Sequence, residues 1–259
     1  MDRSIAWHQS LTVDLIASPF RVFSADTNVD SALALMQQNN WDVAGFSENG
    51  SGNVDAIIKR SKIEQLGDNT LQAACESLDI GLLVAGQSLI LDALPRIVEN
   101  ERLYVFGKDG VDRLVTLADL SKQQVRLLIF GLISSLEVRL LEWIRRENLS
   151  NDDLSRELGD RVNIARRTLE ERKKKAEDTD LLDCLMFIDK VNLTRSLSVN
   201  SLLYSHWGKK KLDLVFDRIQ RLRNDISHAH GPSEQVTWPA IVEALDIIES
   251  IMAVPMPEV

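Results

Sequence analysis

The run Arg223-Asn224-Asp225-Ile226-Ser227-His228 holds the side chains best suited to chemistry in this 259-residue chain. A guanidinium can hold a phosphate, an imidazole can move a proton near neutral pH, and an amide or hydroxyl between them can orient either group. Together they make a kit for phosphodiester cleavage without a metal. Apolar residues at Val215, Ile219, Leu222, Ile226 and Ala229 have the spacing of one helical stripe, and Gly231 and Pro232 end it. At about 100° per residue, Arg223, Asn224, Ser227 and His228 project away from that stripe. The same cations have a plain structural use as well, because positive charge near a helix C-terminus complements the last carbonyls.

A second candidate pair is Thr116 and Asp119, spaced Thr-x-x-Asp where a strand over residues 111–116 runs into a helix starting near Leu117. A hydroxyl and an acid at a helix start can cap it, and a helix N-terminus is also a place for a phosphate. Gly81, Gly86 and Gly107 do not form a phosphate loop of P-loop or dinucleotide-binding spacing. Cys75 and Cys184 each lie in apolar surroundings without metal-ligand spacing, which fits structural thiols.

These residues need elements to position them. Between residues 18 and 122, short β-prone runs alternate with amphipathic helices, the mark of an α/β region. Strands are expected over 21–23, 43–46 and 54–59, with Thr27 capping a helix over 29–38. The order returns as a helix over 89–98 containing Pro95, a strand over 103–106, a turn at Lys108-Asp109-Gly110 and the strand over 111–116, so two copies of one unit are expected. From Ser121 onward the pattern is helical throughout. Helices are expected over 125–146, from Asn151 or Asp152 to 158, and over 162–175, 179–191 and 198–207. The Arg223 helix from about 211 and a last one over 236–252 complete a bundle.

The net charge of -9 is uneven: residues 1–120 hold 17 acids and 9 bases, residues 121–259 hold 22 and 21. Bases gather at Arg166, Arg167, 172–175, 209–211, Arg218, Arg221 and Arg223, a pattern that suits phosphates or a solvated face equally. The first 20 residues lack a signal-peptide core, and no apolar run reaches the 18 residues of a membrane span, so a cytoplasmic protein without a membrane partner is expected.

The segment Asp112-Arg113-Leu114-Val115-Thr116-Leu117-Ala118-Asp119 is similar to the last strand and Thr-x-x-Asp of CBS domains, and residues 1–120 resemble a tandem pair of them. The resemblance implies an adenine-nucleotide site for AMP, ATP or a relative, with Thr116 near phosphate or ribose and Asp119 on the ribose hydroxyls. A glycine usual in that strand is replaced, with Arg113 nearby, and the first repeat's stretch from Asp55 to Lys62 lacks both Thr and Asp. One intact site is therefore expected at most.

Residues 121–259 resemble the HEPN superfamily through Arg223-Asn224-x-x-x-His228, through Ser135-Leu136-Glu137 and Leu140-Leu141-Glu142-Trp143-Ile144, and through Phe187-Ile188-Asp189-Lys190-Val191. The expected fold is thus α+β, an N-terminal α/β CBS-like domain followed by a C-terminal all-α HEPN-like bundle. This likeness implies a ribonuclease with RNA as partner, in which the ribose 2'-hydroxyl attacks the adjacent phosphate. His228 would transfer the proton, Arg223 would hold the phosphate and Asn224 would position His228. It also implies a homodimer sharing the site, no cofactor for catalysis, and a neutralising or activating partner protein, as in toxin and defence systems. The alternative is a non-catalytic nucleotide sensor whose helical part dimerises or docks a partner.

Overall fold

The computed structural model describes residues 10–50, 52–66, 69–108, 110–197, 199–227 and 237–255. The chain divides into an α/β unit, Ala6–Val125, and a helical unit built from Arg126–Val259. The architecture is α+β.

The α/β unit contains β1 (Ser18–Pro19), β2 (Val22–Ser24), α1 (Val29–Gln38), β3 (Val43–Ser47), β4 (Ala56–Lys59), α2 (Arg60–Ile63), β5 (Cys75–Ser77), β6 (Leu83–Ala85), α3 (Ile90–Asn100), β7 (Arg102–Gly107) and β8 (Gly110–Thr116). Two four-stranded sheets form, ordered β2-β3-β4-β5 and β1-β8-β7-β6. In each, a parallel pair (β2 with β3, β6 with β7) leads into an antiparallel hairpin. The fourth strand is exchanged: β1, which precedes the first repeat, pairs with β8 of the second, and β5, which precedes the second repeat, pairs with β4 of the first. Phe20, Val43, Ile57, Tyr104 and Val111 form a buried cluster joining strands of both sheets, with the Phe20 and Tyr104 rings 5.6 Å apart. Burial raises the Tyr104 hydroxyl above its ordinary range.

Several local expectations are corrected. Asn28, not Thr27, caps α1: its side chain accepts Ser31 N at 3.0 Å, while Thr27 Oγ1 turns back to accept Ser24 N at 3.1 Å. After β8 the chain makes only a 3-10 turn, Leu117–Ser121, because Lys122 is extended (ψ 152°) and breaks it before the next helix.

The helical unit comprises α4 (Gln123–Arg146), which starts at the end of the α/β unit, then α5 (Asn151–Leu158), α6 (Arg161–Lys174), α7 (Phe187–Ser196), α8 (Val199–Trp207), α9 (Lys209–Ser227) and α10 (Trp238–Ala253). Ser150 caps α5 rather than Asn151 or Asp152, accepting Asp153 N at 3.1 Å while Asp153 takes the Ser150 amide at 3.0 Å. The helix expected over 179–191 is instead a 3-10 turn, Leu182–Cys184, and then α7. Leu185 and Met186 are extended, and Asp189 accepts the Met186 amide at 3.1 Å, starting a fresh helix there. Cys75 and Cys184 are free thiols, and burial pushes the Cys75 thiol up. Among the described residues no helix is long and apolar enough to cross a membrane.

Candidate functional site

Thr116 and Asp119 are brought together at the end of β8. One Asp119 carboxylate oxygen, Oδ2, accepts the Thr116 amide at 2.7 Å and the Thr116 hydroxyl at 2.9 Å. The other, Oδ1, meets Ser18 Oγ at 3.1 Å and Lys122 Nζ at 2.7 Å. Lys122 Nζ also donates to the Ile16 carbonyl at 2.5 Å. The carboxylate thus serves as a cap and as a clasp on the exchanged strand β1, and it is buried.

The register of the two hairpins identifies what the first repeat places at the same points. Thr116 pairs with Arg102, and Lys59 pairs with Val43. Lys59 therefore stands where Thr116 does, and Lys62 where Asp119 does. Opposite them, Glu76 of β5 occupies the place that Ser18 has on β1. Glu76 bridges Lys59 and Lys62, each at 2.8 Å, which holds its carboxyl below the usual range, Lys59 contributing most. The same joint between helix start and exchanged strand is made twice, once with acid on the helix side and once with bases. Where the first repeat lacks Thr and Asp, Lys59 and Lys62 make the joint.

Two adjoining clefts open at this end of the sheets. One, of about 400 Å3, is lined by Asn40, Trp41, Asp42, Glu101, Arg102 and Thr116 among others. Its neighbour, of about 460 Å3, shares Asp42, Val43 and Arg102 and adds Lys59, Arg60 and Ser61. Thr116 therefore lies on a cleft wall, whereas Asp119 is not among the lining residues. Trp41 is half-buried against the core of the first repeat, with Met36 and Phe46 in the same cluster, and also lines the first cleft. Arg60 is matched by Asp42 at 2.9 Å and by Glu64 at 4.0 Å. The Arg102 side chain makes no hydrogen bond or ion pair with any other described residue. It stands where the first repeat has the buried Val43.

Neither Trp41 nor Arg102 was singled out from the sequence. The only signal for Arg102 was a base directly before the apolar strand expected over 103–106.

In the helical unit, Val215, Ile219 and Leu222 of α9 are buried as their spacing requires, and Ile226 is half-buried. Asn224 is exposed, and its Oδ1 accepts Gln220 Nε2 at 3.4 Å. Arg223 is half-buried rather than free in solvent, with Nη2 at 3.4 Å from Glu137 Oε2 on α4. The other Glu137 oxygen takes Lys190 Nζ of α7 at 2.8 Å. Glu137 and Lys190 belong to two of the segments that carry the HEPN resemblance; Glu137 holds the arginine, and Lys190 holds Glu137. Ala229, Gly231, Pro232 and His228 lie outside the described residues, as does the side chain of Ser227. The bases of α9 are partly spent within the unit: Lys211 and Arg218 both bind Glu243, at 3.2 and 2.6 Å, and lower its carboxyl, Lys211 contributing most. Among the described residues, no three His, Cys, Asp or Glu side chains are grouped to hold a metal.

No protein-family model and no curated protein matches the chain. Solved structures do resemble its N-terminal part. CBSX2 of Arabidopsis thaliana, a CBS-pair protein, gives a TM-score of 0.39 at 15% identity, covering 46% of this chain and 96% of its own. CBSX2 in complex with AMP gives 0.39 at 16%, covering 45% and 98%. OpuCA of Staphylococcus aureus gives 0.36 at 16%, covering 40% and 91%. The similar structures thus include CBS-domain pairs, and the part of this chain they cover is the N-terminal α/β half.

Proposed function

We propose that the α/β unit senses an adenine nucleotide, bound in the cleft walled by Trp41, Arg102 and Thr116. Arg102 carries this reading: it lines both clefts without an ion-pair partner among the described residues, while Arg60 beside it is matched by Asp42 and Lys59 shares Glu76 with Lys62. A phosphate would supply that partner, and charge-assisted bonds to a guanidinium are the strong ones. The half-buried indole of Trp41 offers a purine a flat apolar face, and the Thr116 hydroxyl, whose proton goes to Asp119 Oδ2, can accept from a ribose hydroxyl. Calorimetric titration of the full chain with AMP tests this. Arg102→Ala is expected to weaken AMP by about 10- to 100-fold, the worth of a hydrogen bond to a charged group. An unchanged affinity would remove the assignment.

A second reading concerns the helical unit, as a metal-independent endoribonuclease. Arg223 would hold the scissile phosphate, Asn224 would orient His228, and His228 would move the proton as the 2'-hydroxyl attacks. Two copies in a homodimer would complete the cleft, under the control of the bound nucleotide and of a partner protein. The position of Arg223 favours it: Glu137 fixes one side of the guanidinium, the side chain keeps 35% exposure, and Asn224 beside it is open. The test is cleavage of total RNA in EDTA by wild type, Arg223→Ala and His228→Ala, with and without AMP or ATP. Cleavage lost in both variants is expected. RNA left intact by wild type with every nucleotide would favour a non-catalytic sensor whose helical unit docks a partner.

A further inference from the structure

We infer that the corner between α8 and α9 is a binding site for single-stranded RNA, separate from Arg223, in which a base stacks on His206 and Trp207 while phosphates meet Lys209 and Lys210. The choice of RNA rests on the ribonuclease reading of the helical unit, to which the corner adds where the strand is held. Gly208 makes the corner. Its left-handed backbone (φ 74°) ends α8, its amide donates to the Tyr204 carbonyl at 2.8 Å, and its carbonyl accepts Leu212 N at 3.1 Å to begin α9. With one residue between the helices, the last rings of α8 come within four residues of the first bases of α9. The His206 and Trp207 rings lie 5.4 Å apart, tilted by 37°. His206 is exposed, and its Nδ1 donates to the Leu202 carbonyl at 2.9 Å, which orients the ring. Exposed rings beside cations are what unpaired bases and their phosphates use.

The side chains of Lys209 and Lys210 are exposed and make no ion pair or hydrogen bond with any described residue, whereas Lys211 is taken by Glu243 at 3.2 Å. Bases in a first turn oppose the helix dipole, so the stability of α9 does not account for them. Beyond Lys210, the exposed residues Leu214, Asp217, Arg221 and Asn224 recur at helical spacing along one outer line of α9. Arg221 also has no acid in contact among the described residues. Asp217 is the one acid on that line, and nearby Asp213 is taken by Arg195 at 2.9 Å. From Lys210 to Asn224 the line runs about 21 Å at 1.5 Å per residue, the reach of about six stacked nucleotides. A strand held at the corner therefore extends to Arg223. An A-form duplex offers the rings no unstacked base.

The experiment is fluorescence anisotropy of a short labelled oligoribonucleotide of mixed sequence, single-stranded or duplex, with the full chain in EDTA. An Arg223→Ala background keeps cleavage from interfering. Single-strand affinity is expected to fall with salt at a log–log slope of about -2, from phosphates on Lys209, Lys210 and Arg221. Lys209→Gln with Lys210→Gln should flatten the slope to about -0.7. His206→Ala, at an exposed position, should weaken the single strand by about 5- to 150-fold, the worth of one stacked base, and His206→Tyr should restore it. Duplex should bind more weakly and be indifferent to His206→Ala. An unaltered His206→Ala affinity, or a slope untouched by the two glutamines, would overturn the inference. An acidic peptide bound in preference to RNA, and lost in the same variants, would reassign the corner to a protein partner. RNA cut by wild type but bound equally by His206→Ala would remove the corner and leave the ribonuclease; RNA bound through the corner yet uncut by wild type would do the reverse. No RNA binding by any form would remove both.

Discussion

Replacing Glu137 by glutamine tests how the helical unit holds Arg223. Lys190 is only 5% exposed, and Glu137 is its partner at 2.8 Å, with Arg223 at 3.4 Å on the other carboxylate oxygen. Glutamine keeps the shape and removes the charge, leaving the Lys190 ammonium buried beside a neutral amide. Breaking a fully buried pair in this way costs about 3–5 kcal/mol. Water already reaches part of this site, since the Glu137 side chain is 20% exposed and that of Arg223 35%. We therefore expect about 2–3 kcal/mol, discounting the exposed Arg223 arm to under about 1 kcal/mol. For a chain of this size that is a fall in melting temperature of roughly 5–10 °C, read by scanning calorimetry. Replacing both partners by apolar residues, as in Glu137→Leu with Lys190→Met, should recover most of it, because no charge is then left buried alone. A Glu137→Gln melt within about 2 °C of wild type would refute the view that this ion pair holds α4, α7 and α9 together.

Two further outcomes are expected in the α/β unit. Lys59 and Lys62 depress the Glu76 carboxyl below its ordinary 4.5, so the stabilisation is present above that pH and is lost as pH falls through the lower, folded value. Urea midpoints of wild type should drop below pH 4.5 more steeply than those of Glu76→Gln, and parallel curves would count against the joint. At Gly86, an added methyl would fall inside the Asp14 carboxylate, which binds Arg113 at 2.6 Å and Gln87 at 2.9 Å. Gly86→Ala should cost about 1–3 kcal/mol, and should cost much less in an Asp14→Ala background. Additive losses in urea denaturation would show that the methyl strains something else.

The parts read well in advance are those encoded locally. The buried stripe Val215, Ile219, Leu222 is visible because helical period and burial coincide, and Thr116 and Asp119 are visible because a cap acts over three residues. The parts missed depend on partners far away in the chain. β1, β5 and β6 are two or three residues long, too short for alternation to register, and exist because another strand supplies their hydrogen bonds. Asn28 displaced Thr27 as a cap because Thr27 is used by Ser24, a choice that spacing alone does not decide. Arg102 gained meaning only once the hairpin register set it opposite Thr116 and on the cleft beside Trp41. Glu137 and Lys190 are 53 residues apart, and nothing in either helix alone announces the other.

The exchange of β1 and β5 has a consequence for how the α/β unit can be divided. Each repeat borrows its outer strand from the segment leading into its twin, so a cut between the repeats would strip an edge from both halves. Losing Ser18–Pro19 would bare the flank of β8, in the second repeat, and would leave Asp119 without the Ser18 hydroxyl. A bared flank of unpaired amides and carbonyls is a template for pairing with another chain. The two repeats are therefore expected to unfold together, and a fragment holding one of them should associate with other chains rather than remain a small monomer.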